Sequence, residues 1–66
     1  MTGLTDQQRR VAELVAIGMM DKHIATRLGC SEETVGYHLR QIAKRLALDP
    51  KRSVRVQITR LMLQAA

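Results

Sequence analysis

Apolar residues recur along this chain three and four positions apart, in four runs divided by short polar or glycine-containing breaks. Helical spacing of this kind in all four runs makes the expected class all-α, a four-helix bundle. In the first run Val11, Leu14, Val15 and Gly18 share one stripe. Thr5 and Gln8 stand before it at the T-x-x-Q spacing of a capping box, with Leu4 placed as a hydrophobic staple. This predicts a helix over about 6–17, closed by Gly18 in a left-handed conformation. The second run, Ile24, Ala25 and Leu28, predicts a short helix over about 22–28, capped by Asp21 and stopped by Gly29. The third begins at Ser31, with Glu32 and Glu33 in a first turn where the helix dipole favours negative charge. Val35, Leu39, Ile42 and Leu46 follow at steps of four, three and four, predicting a helix over about 32–46. Ala47-Leu48-Asp49-Pro50 breaks that pattern, because proline lacks a backbone donor and restricts the residue before it. A last helix over about 51–64 has a broad stripe of Val54, Ile58, Leu61, Met62 and Ala65. Val56 and Leu63, seven apart, lie near the opposite side.

The second and third helices carry the most specific spacing. Ala25 is small where two helices must cross closely, Gly29 falls four residues later at the turn, and Val35 falls six further on in the next core stripe. Together these are the requirements of a helix-turn-helix. With Val35, Leu39, Ile42 and Leu46 inward, Gly36, Tyr37, Arg40 and Lys44 point away from the core.

Charge gives that outward face a partner. The chain carries a formal net charge of +5, and the surplus is uneven. Residues 1–30 hold four bases against three acids, residues 31–66 seven bases against three acids, and the stretch from Thr34 to Leu48 has no acid at all. A basic helix of this kind fits the major groove of duplex DNA. There arginine can donate two bonds to guanine, and tyrosine can reach a phosphate or stack on a thymine methyl. Lys22, Thr34, Lys44 and Arg45 suit phosphate, which fixes register without reading sequence.

At these residues the chain resembles the LuxR/FixJ/GerE family of helix-turn-helix output domains. The resemblance runs through LTDQQRRVAELVAIG at Leu4–Gly18, DKHIATRLGCSEETVGYH at Asp21–His38, and the I-x-x-x-L of Ile42–Leu46. It implies a four-helix unit whose third helix enters the major groove and whose fourth can pair with that of a second copy. By the same resemblance Lys22 and Thr34 match positions that touch phosphate, Val35 and Tyr37 match groove-facing positions, and Arg40 matches a basic reader. Gly36 stands where the family usually has lysine, and Gln8 stands for its usual glutamate. Met20 stands for its usual small polar cap. The DNA-contacting set is therefore Lys22, Thr34, Val35, Gly36, Tyr37, Arg40, Lys44 and Arg45, and the pairing set is Val56, Arg60 and Leu63.

The remaining chemistry is sparse. Cys30 is the single cysteine, so no intramolecular disulfide can form, and His23, Cys30 and His38 are scattered over different elements without a fourth metal ligand. No metal or cofactor is expected. No nucleophile and base stand in a recognisable motif, so neither enzymatic activity nor a small-molecule substrate is expected. No apolar run approaches the roughly 20 residues that cross a bilayer. A single domain spanning residues 1–66, in the cytoplasm, binding double-stranded DNA as a transcription regulator, is the expectation. Two alternatives stay open at this stage: a protein-interaction module docking on RNA polymerase or another regulator, and a helix-turn-helix like that of sigma factors.

Overall fold

The computed structural model describes residues 3–65, with side chains as far as Gln64. Four helices and no strand are found among them: α1 (Asp6–Ala16), α2 (Asp21–Leu28), α3 (Glu32–Arg45) and α4 (Val54–Ala65). The first helix is the hub, since α2, α3 and α4 all pack on it and α2 also packs on α3. Val11, Ala12 and Val15 of α1 meet Ile24 and Ala25 of α2, Val35 and Ile42 of α3, and Ile58 of α4 in one buried cluster. Leu39, Leu46, Val54 and Met62 of the expected stripes are half-buried against it, as are Leu4 and Cys30. The expectation for Ala65 falls on a side chain outside the described ones.

The start of α1 forms as its spacing predicts. The Gln8 N–H donates to Thr5 Oγ1 at 3.1 Å, and the Thr5 N–H donates to Gln8 Oε1 at 3.1 Å, a reciprocal capping box. Ser31 caps α3, accepting from the Thr34 N–H at 3.1 Å. Asp21 does not cap α2. That helix begins at Asp21 itself, its N-cap is Met20 with no side-chain bond, and the Asp21 carboxylate is taken instead by Arg55 of α4. The Arg55 guanidinium also donates to the Met19 carbonyl, so one side chain ties the start of α4 to the corner between α1 and α2. Met20 is exposed, and so is Ile17.

The last helix begins at Val54 rather than near Lys51, because Asp49 to Arg52 are spent on a turn. The Arg52 N–H donates to the Asp49 carbonyl at 3.2 Å with Pro50 following Asp49, and the Asp49 carboxylate accepts from the Lys51 N–H at 2.9 Å. Ser53 then caps α4 by accepting from the Val56 N–H at 3.3 Å. The Gln57 amide clasps this turn, accepting from the Asp49 N–H at 2.8 Å and donating to the Asp49 carbonyl at 2.9 Å.

Three helices end alike, in a left-handed residue whose successor donates to the carbonyl five residues back. Gly18 (φ 88°) precedes Met19, which bonds Leu14, and Gly29 (φ 71°) precedes Cys30, which bonds Ala25. At the end of α3 the same place is held by Ala47 (φ 52°), preceding Leu48, which bonds Ala43. A Cβ in that conformation costs about 1–2 kcal/mol, part of which glycine returns as extra unfolded-state freedom. Ala47→Gly is therefore expected to stabilise the domain by about 0.5–1 kcal/mol, read as a raised denaturation midpoint. A lowered midpoint would show that the strain is relieved some other way.

Candidate nucleic-acid interface

One face of α3 is left uncovered by the bundle. Val35 and Ile42 are fully buried on the opposite face, which turns Tyr37, Arg40 and Lys44 outward, and all three are exposed. Tyr37 keeps 52% of its surface accessible, with its ring edge-on to His38 at a centroid distance of 5.8 Å. Gly36 lies half-buried beside Tyr37, next to the Arg40 side chain. Thr34 and Arg45 lie eleven residues apart, close to three full turns, and so share a flank of α3 rather than its outward face. Thr34 is half-buried with its hydroxyl 3.0 Å from that of Ser31, and Arg45 is exposed. Lys22 is exposed in the first turn of α2.

Val35 departs from the groove-facing role that the resemblance implied for it. Its side chain is completely buried in the core cluster, so it supports the helix and has no surface to offer a base edge. The spacing of the core stripe already placed it inward, and packing decides in favour of that placement.

The basic groups differ in how free they are. Among the described residues the ion pairs are Arg55 with Asp21 and the exposed Arg52 with Asp49 at 3.6 Å. Lys22, Arg40, Lys44 and Arg45 belong to neither pair, and the acidic groups of α3, Glu32 and Glu33, are confined to its first turn. The outward face beyond that turn is therefore a positive field with unengaged donors, suited to a polyanion. The role of Arg55 was not legible in advance, because its partners lie 34 and 36 residues away and no local pattern marks them.

Other chemistry is thin. No group of three or more metal-ligating side chains comes together among the described residues. An open, largely apolar hollow of about 470 Å³ runs between α3 and α4, lined by Leu39, Ala43, Leu48 and Val54 with Arg40, Lys44 and Asp49 among its polar groups. Among the described residues no helix is long and apolar enough to cross a membrane.

In a comparison with family models, the model of GerE, described as bacterial regulatory proteins of the luxR family, matches residues 2–62. The chain belongs to the luxR family. Comparison with curated proteins and with solved structures returned no match. Membership covers the capping box of α1, the helix-turn-helix of α2 and α3, and most of α4. The luxR-type domain is a DNA-binding module of transcription regulators rather than an enzyme class, and its partner is double-stranded DNA.

Proposed function

We propose that α3 lies in the major groove as the recognition helix, with residues 1–66 acting in the cytoplasm as a single DNA-binding unit. The observation that carries this reading is the outward face of α3, where Tyr37, Arg40 and Lys44 are exposed in line while the opposite face is anchored in the core. A helix about 10–12 Å across matches a groove about 12 Å wide. Arg40 reads a guanine edge with two donors, and Tyr37 lies against a thymine methyl or a phosphate. Lys22, Thr34, Lys44 and Arg45 hold phosphates and fix the register of the helix.

Two copies pair through the outer face of α4. Val56 and Leu63 are 52% and 68% exposed one heptad apart, Arg60 lies exposed between them, and α4 packs on α1 by its other side. Paired copies would read a palindromic site.

Selection of bound duplexes from a random pool tests both parts. Arg40→Ala is expected to erase preference at the base pair it reads, with a discrimination loss of about 1–3 kcal/mol. Lys22→Ala is expected to weaken all sequences alike, and the selected wild-type site to be palindromic. A uniform loss from Arg40→Ala would remove its base-reading role, and a site without symmetry would remove the pairing.

A further inference from the structure

Gly36 is the one interior glycine of α3, and neither the backbone nor the core explains it. Its φ is not positive, unlike those of Gly3, Gly18 and Gly29, so the conformation does not require glycine. A Cβ built on it would meet no other helix. Its one neighbour within 4 Å is Nη1 of Arg40, at 3.6 Å. Glycine inside a helix is unfavourable relative to alanine, so this position gives up helix stability for a gap.

The Arg40 guanidinium lies along that gap. Side chains on a helix lean toward its N-terminus, onto the residue four positions earlier, and at Gly36 nothing holds the guanidinium off the backbone. No ion pair draws Arg40 there, since the pairs among the described residues involve Arg52 and Arg55. We infer that Gly36 and Arg40 form one specificity-determining unit. The gap at Gly36 directs the Arg40 guanidinium about one helical turn toward the start of α3, where it reads the bases that a longer residue at 36 would otherwise contact. One turn is about 5.4 Å, between one and two base-pair steps, so the unit sets which base pair is read. This rests on the proposed reading of Arg40 as a base reader and adds that Gly36 chooses the base pair.

The graded size of the substituent supplies the test. At 3.6 Å a methyl group is in ordinary contact with Nη1, so Gly36→Ala leaves the guanidinium in place, whereas the longer side chain of Gly36→Gln occupies its path. Binding sites are selected from a random duplex pool with the wild-type chain and with Arg40→Ala, Gly36→Ala and Gly36→Gln, each checked for folding by thermal melting. Arg40→Ala is expected to lose at least about tenfold discrimination at one position or an adjacent pair. Gly36→Ala is expected to melt at a higher temperature, which shows that position 36 tolerates a side chain without loss of the fold. Gly36→Gln is expected to lose or move the preference at the same positions as Arg40→Ala. If Gly36→Gln keeps the Arg40-dependent preference and alters a separate position, the two residues read independently and the unit is overturned. If Arg40→Ala leaves the selected site unchanged, Arg40 reads no base, and the recognition reading falls together with the unit.

Discussion

Ile42→Ala is expected to abolish cooperative folding near body temperature. Ile42 is fully buried in α3, in the cluster that joins α3 to α1, α2 and α4. Truncating a buried isoleucine removes apolar contact and leaves a cavity, at a cost of about 2–5 kcal/mol. A chain of this size seldom has more than about 3–5 kcal/mol of stability from its core, and no disulfide is available to supplement it. Thermal unfolding followed by helical circular dichroism should show a broad, early transition for Ile42→Ala and a sharp one for the parent. Because Ile42 faces away from the proposed groove side, any loss of DNA affinity should track the fraction unfolded. A variant that melts within a few degrees of the parent would mean that α3 is held chiefly by something other than this contact.

The second large effect is on binding. Displacing counterions from phosphates makes the logarithm of affinity fall with the logarithm of salt, at about −0.9 per phosphate neutralised. Lys22, Lys44 and Arg45 are the cations assigned to phosphate, and neither Arg52 nor Arg55 adds to them, each being paired with an aspartate. Raising salt from about 50 to 200 mM should then cost roughly 40-fold for one copy and on the order of a thousandfold for a pair. Fluorescence anisotropy of a labelled duplex across that range reads the slope. The slope tells one bound copy from two without assuming a dimer. Affinity independent of salt would sink the phosphate assignments outright.

Within the fold, the parts legible in the sequence are those encoded by neighbours three to five residues apart. The capping box of Thr5 and Gln8, the cap at Ser31, and the closures at Gly18 and Gly29 are all of this kind. The stripes of α1 to α3 were legible for the same reason, since helical periodicity needs only a local pattern. The candidate face followed from them, because fixing the inward stripe of α3 fixes what is left outside. Its least secure member was Val35, which stood in the stripe and matched a groove position at once. Burial settled that conflict in favour of the core.

By itself, then, the sequence determined the helix count, the helix-turn-helix and the acid-free face of α3, all products of short-range periodicity and charge placement. The tertiary structure decided which cations are free to meet an anion. Arg55 counts as a free charge in the composition, yet the fold brings it to Asp21 and the Met19 carbonyl, which also leaves α2 without the cap its sequence suggested. The start of α4 was decided the same way, by Gln57 reaching eight residues back to clasp Asp49. The strained Ala47 and the Arg40 guanidinium resting over Gly36 also appear only in three dimensions. Where a side chain lies depends on the space its neighbours leave, and periodicity alone does not specify that space.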